Sequence, residues 1–546
     1  MSNVIIFYPS GGISNDLYSA SEVGQISSVL KESGFQTKII RTNKDDFANI
    51  LNLTSAFKPA CIVAVLHWES PETHIWLRAL IEAISKLESD VPLICQGITA
   101  TCFPDELLTH YPRIDSLVLG DAEETIGELI QCMLEQGDIR QIPGIAYRDA
   151  TGVHTTGYRI AKRCMDNFPM PDTSYFTNRQ EFPILPIYSS RGCLYNCSFC
   201  PVKVFDKPVR HDKPYRVRSP KRVVDELAYL HHTLHGRIFY FIDSCFLINE
   251  EKSRIRALEI AQTILERGLK IHFYIETRVD AVDISTFKKL KQAGLRSVLL
   301  GIENGSQSVL DRYHKGTTVM DNIKAINTLQ SLGINIEPGF IMFDPYTNYN
   351  ELKENLDFLS RTKLYRASPS ILYRRLVMYP KSPFFKRNIG VIEEDNYLMH
   401  EGFPTWRNQL RYYKIIDPVV RQIEYTLLKM KQDVANLEEQ INQWSGLIRL
   451  KRINNRNVPN NQSDVLLSQE MIKKIRIWKQ QLSEMFFRTF KTTVLLANDI
   501  KNVQRLNEAC EEIYHKELEQ TAYTAFGVPF NEIKKRFNTE IEKMKD

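Results

Sequence analysis

The chain of 546 residues has no run of about 18 apolar residues, the length a helix needs to cross a bilayer. Its opening, Met1 to Tyr8, also lacks the basic and long apolar regions of a secretory signal. A cytoplasmic protein with no membrane partner is expected. Charge of one sign is scarce too: 70 Lys and Arg against 65 Asp and Glu leave a formal net charge of +5. That excess is too small to be the footprint of a nucleic-acid partner. Cysteine is sparse, 10 in all, and does not make a disulfide framework in so long a chain. The length exceeds one ordinary core, so two or three domains are expected. A hydrophobic content of 43% and a charged content of 25% are those of a globular protein.

Against that sparseness, three cysteines stand together as Cys193, Cys197 and Cys200, in a CxxxCxxC run with Phe199 just before the last. Three thiolates so placed hold three irons of a cubic [4Fe–4S] cluster, and with no fourth cysteine following closely one iron stays open. A zinc site is the rival reading, with His211 as a distant fourth ligand.

The CxxxCxΦC loop resembles the signature of the radical S-adenosylmethionine (SAM) enzymes. The resemblance implies that the open iron chelates the amino and carboxylate groups of SAM, and that an electron from the cluster cleaves SAM to a 5′-deoxyadenosyl radical. It implies a SAM contact for Phe199 and a flavodoxin or ferredoxin as electron donor.

The fold expected is α/β: a Rossmann-like doubly wound domain over 1–142, a linker over 143–182, a partial (β/α)₆ TIM barrel over 183–400 and an all-helical region over 401–546. In the first domain, short apolar runs at Val4–Tyr8, Thr37–Ile40, Ala60–Leu66, Val91–Cys95 and Ser116–Leu119 alternate with helical stretches. Ligands of such sheets sit at the carboxyl ends of the strands. The stretches Cys95–Thr101, Phe103–Leu108 and Asp115–Thr125 resemble the G-G-x-x-x-T, P-E-E-L-L and D-x-V-x-G-E-x-E-x-T pattern of the cobalamin-binding domain in B12-type radical SAM enzymes. The resemblance implies cobalamin contacts at Ser10, Gly11, Gly97, Thr99, Gly120 and Glu123. Asp121 replaces the usual Glu, and no D-x-H-x-x-G motif follows the first strand, so that motif supplies no axial ligand to cobalt. A Rossmann-like module without cofactor is the plainer reading, and His67 and His74 read as surface or core residues. Cys61, Cys95 and Cys102 raise a further rival, the second cluster of methylthiotransferases, although two of them lie in apolar strands.

Pro143–Gly152 reads as a β-hairpin and Asn167–Asp172 as a connector. Six strands are expected beyond it: Leu185–Ser190, Arg237–Ile242, Lys270–Thr277, Ser297–Ile302, Ile334–Met342 and Ser368–Leu376. A barrel of parallel strands carries its chemistry at the carboxyl ends. There the resemblance implies SAM contacts for Asp243, Ser244, Glu276, Arg278, Glu303 and Met342.

A basic loop from Lys203 to Arg222 is either a solvated surface or an attractor for an anionic partner. Ile423 to Ile448 carries a narrow apolar seam at helical spacing. A second helical stretch from Val465 to Tyr514 makes an antiparallel hairpin with it. Trp406, Tyr412, Tyr413, Phe486, Phe487 and Phe490 line a substrate site or, more plainly, fill a core.

The expected function is a cobalamin-dependent radical SAM enzyme, a monomer, that methylates an unactivated carbon of a natural-product or peptide substrate. A rearrangement, cyclisation, epimerisation or oxidation without methyl transfer is the alternative, and a non-catalytic iron–sulfur protein a third.

Overall fold

A computed structural model describes residues 2–10, 13–43, 45–66, 71–87, 90–160, 164–176, 183–205, 215–367, 369–379, 381–388, 399–400, 403–404, 413–428, 462–499 and 503–526. The amino-terminal sheet holds β1 (Asn3–Pro9), β2 (Gln36–Thr42), β3 (Cys61–Val65), β4 (Leu93–Gln96), β5 (Ser116–Val118), β6 (Ile145–Asp149) and β7 (Gly152–Thr155), in the order β2-β1-β3-β4-β5-β6-β7. The first five run parallel and the last two antiparallel. The hairpin at the head of the connector thus extends this sheet.

Strand alternation divides the apolar residues between two faces. Ile5, Phe7, Ile62, Ala64, Leu93 and Cys95 pack with Trp76, Leu77 and Leu80. Val4, Ile6, Tyr8, Cys61, Val63 and Ile94 pack with Val23, Ile26 and Leu30 of helix α1 (Ile13–Glu32) and with Leu129. Cys61 therefore lies on the face opposite Cys95 and Cys102, and the three do not converge. Burial pushes the Cys61 and Cys95 thiols up. Trp76 donates from Nε1 to Thr42 at 2.9 Å, and His74 sits buried at 2.8 Å from the Tyr111 hydroxyl, a core histidine.

The connector runs along α1. Asp172 accepts from Lys31 at 2.6 Å and from Ser27 at 2.5 Å, and its own N–H donates to the Gly24 carbonyl at 2.9 Å. A Cβ on Gly24 would stand 2.7 Å from the Asp172 carbonyl oxygen, so only glycine permits this crossing.

The second sheet holds β8 (Leu185–Ile187), β11 (Ile238–Phe241), β12 (His272–Arg278), β13 (Leu295–Glu303) and β14 (Asn335–Phe340), all parallel, in the order β14-β13-β12-β11-β8. Between β8 and β11, β9 (Ser190–Gly192) pairs antiparallel with β10 (Tyr215–Val217). The sixth strand expected at Ser368–Leu376 is not formed. Pro369–Leu372 is a 3₁₀ turn, and a single parallel bridge joins Phe343 to Arg375. Pro369 has no N–H to give a ladder, and Arg374 instead donates from its side chain to the Pro338 carbonyl at 2.6 Å.

The carboxyl-terminal helical expectation also shifts. Gln462–Asp499 and Val503–Phe526 are separate helices. Thr493 lies 3.3 Å from the Cys510 sulfur and Arg488 lies 2.6 Å from Glu517, contacts whose residue numbers fall on one side as they rise on the other. The antiparallel pair therefore forms inside the stretch expected to be one helix. Of the seam at Ile423–Ile448, a helix over 418–428 is described, and the rest lies outside the described residues together with Trp406 and Tyr412. Tyr413, Phe486, Phe487 and Phe490 are buried, with Phe487 stacked on Tyr365 at 4.1 Å, so these aromatics are core.

Candidate functional site

The cysteine loop leaves β9 through Gly192, whose φ of +84° suits glycine. Its backbone is pinned to the barrel: Ser198 donates to the Tyr313 carbonyl at 2.8 Å, and Phe384 donates to the Ser198 carbonyl at 2.9 Å. Phe199 meets Tyr313 edge-on at 5.1 Å between ring centres. The Tyr195 hydroxyl accepts from the Asn249 N–H at 3.0 Å. Among the described residues no three His, Cys, Asp or Glu side chains converge on one ion. A cubic cluster, with one iron to each thiolate, does not need that convergence.

Two cations face the loop. Arg278, at the end of β12, stacks on the Tyr195 ring at 3.6 Å and donates to the Cys197 sulfur at 3.5 Å, to Asp280 at 3.0 Å and to the Lys315 carbonyl at 2.7 Å. Its guanidinium is thus anchored in the cysteine loop and its neighbours. Lys315 donates to Glu303 at 2.6 Å in a buried pair. Glu303 has a φ of +64°, a strained backbone for a non-glycine residue and of the sort found at functional positions. A Cβ on Gly301 would stand 2.8 Å from the Lys315 ammonium and 3.0 Å from the Glu303 carboxylate. Burial pushes the Cys200 thiol up to about 12 and raises Cys197 as well. The neighbouring Cys245 thiol holds Cys193 down at about 7. Thiols close to thiolate-stabilising cations fit the donor set of an iron–sulfur cluster.

Asp243, past the end of β11, is buried and accepts from the Ser189 N–H at 2.7 Å and from the Ser189 hydroxyl. Ser244 is exposed toward a cavity, while Met342 is fully buried in the barrel core. Glu276 accepts on one oxygen from Tyr240 at 2.5 Å and from Tyr18 of α1 at 3.1 Å.

These strand ends share one cavity with the first domain. Its volume is about 310 Å³, within the small-molecule range. The walls are Tyr18 and Glu22 of α1, the Gly97 and Gly120–Glu123 loops, Arg191 and Cys200 of the cysteine loop, and Ser244 and Glu276 of the barrel. The structure thus puts Gly97, Gly120 and Glu123, expected to contact cobalamin, in the same cavity as Ser244 and Glu276, expected to contact SAM. Ser10 is exposed at the end of β1, Thr99 is buried behind Gly97, and Gly11 lies outside the described residues.

The first domain keeps polar groups unspent at this edge. Both amide atoms of Gln96 and the hydroxyls of Thr99 and Thr125 are buried without hydrogen-bond partners, a condition that folded chains avoid unless something else is to be bound. Gly97 has a φ of +111°, and a Cβ there would stand 2.6 Å from the Leu66 carbonyl oxygen. An apolar sheet edge with orphaned donors and a bare glycine fits a large polar cofactor. Missed from sequence were Tyr18, Tyr240, Cys245 and Arg191. Cys245 lies two residues past Asp243 and was findable from the strand end, whereas Tyr18 comes from the other domain and had no local signal.

Comparison with known proteins agrees with this geometry. Residues 187–359 match the model of the Radical SAM superfamily, so this part of the chain is similar to that superfamily's shared domain. The chain's fold is shared with solved cobalamin-dependent SAM radical enzymes. The chain superposes on the cobalamin-dependent SAM radical enzyme OxsB, determined with aqua-cobalamin and SAM bound, with a TM-score of 0.75, covering 99% of this chain and 80% of that one at 18% identity. At that identity the likeness shows the fold. In sequence, the chain is 25% identical over 393 residues to an uncharacterized methyltransferase of Pyrococcus horikoshii, 71% of this chain and 77% of that protein. It is 31% identical over 280 residues to the 4′-phospho-dehydrooxetanocin synthase of Priestia megaterium, 47% of this chain and 37% of that protein. The superfamily's cofactors are a [4Fe–4S] cluster and SAM, and the chain is an enzyme of that kind.

Proposed function

We propose that the chain is a cobalamin-dependent radical SAM enzyme that methylates an unactivated carbon of a small-molecule or peptide substrate. The observation that carries the reading is the shared cavity, whose walls come from the cysteine loop on one side and the carboxyl edge of the first sheet on the other. When bound, the cluster and SAM supply a carbon radical and cobalamin supplies the methyl group. Cys193, Cys197 and Cys200 would hold the cluster. Gly97, Thr99 and Gly120, with the Gln96 amide, would receive cobalamin. The SAM contacts fall to Phe199, Ser244, Glu276 and the Glu303–Lys315 pair. Asp243 is spent on Ser189 and Met342 on the core, so they shape that pocket from behind.

The chain's own contribution is position and exclusion of water. Arg278 and Lys315 offset the thiolates, Phe199 and Tyr313 close the loop against the barrel, and Tyr18 with Tyr240 holds Glu276 at the cavity wall. A flavodoxin or ferredoxin is the electron donor in this reading. Arg216, Arg218 and Arg222 of the basic loop are turned inward onto Asp121, Glu226 and the Phe168 carbonyl, while Lys207, Arg210, His211 and Lys213 lie outside the described residues. The reading places the chain in the cytoplasm as a monomer. Among the described residues no helix is long and apolar enough to cross a membrane.

A radical rearrangement or oxidation without methyl transfer is the second reading, favoured by the relative named as a synthase. Anaerobic purification with iron, sulfide and hydroxocobalamin separates the two. Near-stoichiometric cobalt, with label from the SAM methyl group appearing in product, supports methyl transfer. Bound cobalt without label transfer supports rearrangement, and four irons without cobalt overturns the cobalamin reading.

A further inference from the structure

Asp121 and Glu123, which follow β5 in the cavity wall, are both engaged by arginines. Glu123 accepts from Arg191, and Asp121 accepts from Arg216 and forms an ion pair with Arg191 at 3.3 Å. Arg191 precedes Gly192 and Cys193, so this network ties the first domain to the residue that leads into the cysteine loop. The ladder of β9 and β10 sets Arg191 directly opposite Arg216. Like charges so placed on neighbouring strands repel. Asp121 lies between them and Glu123 takes the remaining charge, giving two cations against two carboxylates. The side chains keep only 5% to 19% of their exposure, so water screens the network weakly. The ribbon that launches the cysteine loop is therefore compatible with itself only while the first domain supplies its acids.

We propose that Arg191 is a positioning residue for the cluster, held by Asp121 and Glu123 of the first domain so that the cysteine loop faces the cavity both domains share. Glu123 then acts as the arginine's partner and not as a cofactor contact. The proposal rests on the cluster and not on cobalamin, so it is tested in full-length chain produced without cobalamin. Its failure and the failure of the methyl-transfer reading are thus separable.

The experiment compares Arg191→Gln, Glu123→Gln, the double variant and the charge-swapped Arg191→Glu/Glu123→Arg. Each is reconstituted with iron and sulfide, checked for four irons per chain and for wild-type circular dichroism, reduced with dithionite, and examined by electron paramagnetic resonance with and without SAM. Both single variants are expected to shift the g values of the reduced cluster and to shrink the change that SAM induces. The double variant should go no further than either single one, and the swapped pair should move back toward the wild type. Glu123→Gln is the decisive variant, because Glu123 belongs to the other domain and touches no cysteine. A wild-type spectrum for it, or effects of the two single variants that simply add, overturns the proposal. If Arg191→Gln fails to take up iron, Arg191→Lys replaces it, with a smaller shift in the same direction expected and an unchanged spectrum again counting against the proposal.

Discussion

The two sheets of this molecule present their carboxyl edges to the same cavity, yet the edges are furnished differently. At the barrel's edge the polar groups are largely spent: Arg278 on Asp280, Cys197 and the Lys315 carbonyl, Lys315 on Glu303, Thr277 on the Leu247 carbonyl at 2.8 Å. At the first sheet's edge Gln96, Thr99 and Thr125 are buried with nothing to bond. A mouth whose groups hold one another is preorganised before its ligand arrives. A mouth of orphaned groups is strained until its ligand arrives. The contrast says that the barrel's edge is held by bonds already made, some of them to the first domain through Arg191 and Arg216, whereas the orphaned groups of the first domain are completed by what it binds.

The largest effect that breaks the comparison lies on the barrel side. Alanine at Cys193, Cys197 or Cys200 should abolish reductive cleavage of SAM, read as deoxyadenosine formed under dithionite. The circular dichroism of the chain should hardly change, because the loop is pinned by Ser198 and Phe384 rather than by the thiols. Deoxyadenosine at the wild-type rate from any of the three variants would refute the assignment.

Next in size is a pair of glycines. Gly97→Ala forces a side chain onto a φ of +111° and against the Leu66 backbone, and should lower stability by about 2–4 kcal/mol. Gly301→Ala has no such strain. Its new methyl crowds the side-chain ends of Lys315 and Glu303 and makes ordinary contact with the Thr277 carbonyl oxygen at 3.7 Å, so it should cost about 1 kcal/mol while weakening SAM binding more than Gly97→Ala does. Denaturant titration and equilibrium binding of SAM, run side by side, check both halves. Equal stability losses would erase the distinction between a rigid and an adjustable edge.

A smaller effect with opposite signs follows from the threonines. Thr99→Val removes a buried hydroxyl that has no partner, and should stabilise the ligand-free chain by about 1 kcal/mol. Thr277→Val leaves the Leu247 carbonyl with the weaker Cys245 thiol as donor, and should destabilise the chain by about 1 kcal/mol. If both variants lose stability alike in thermal unfolding, Thr99 is not the orphan that the contrast requires.

Much of this contrast was legible in the sequence because it is local. The cysteine spacing, the apolar runs of β1 to β5 and the glycines at 97 and 120 each carry their signal within a few residues. What lay hidden was set by pairing across the chain. Tyr18 and Glu276 are 258 residues apart, and no periodicity links them. The sixth strand is cut to a single bridge: Pro369 brings no N–H, and the backbone bonds of Met342 and Phe343 reach Arg374 and Leu376. The stretch expected as one helix forms two, Gln462–Asp499 and Val503–Phe526, although its apolar spacing runs on, since Leu506, Cys510 and Tyr514 share a core with Phe490 and Val494.

Glu276 stands where the two edges meet, so its titration tests whether they form one site. Burial pushes its carboxyl up to about 7, the hydrogen bonds from Tyr240 and Tyr18 pull it partly back, and Glu337 and Asp243 push it further up. Between the ordinary carboxylate value near 4.5 and about 7, the folded chain keeps a proton that the unfolded chain has released. Stability from this group must therefore fall as the pH rises through that window, and the loss is complete above it. Glu276→Gln cannot titrate. In the cluster-free chain, the wild type should lose melting temperature relative to this variant between pH 5 and about pH 8. Tyr18→Phe, which removes the first domain's bond to the same oxygen, should widen the gap by stripping away one of the two interactions that favour the carboxylate. Parallel melting curves for the wild type and Glu276→Gln would mean that this carboxylate is solvated in the ligand-free chain, and that the two edges do not close around it until a ligand is bound.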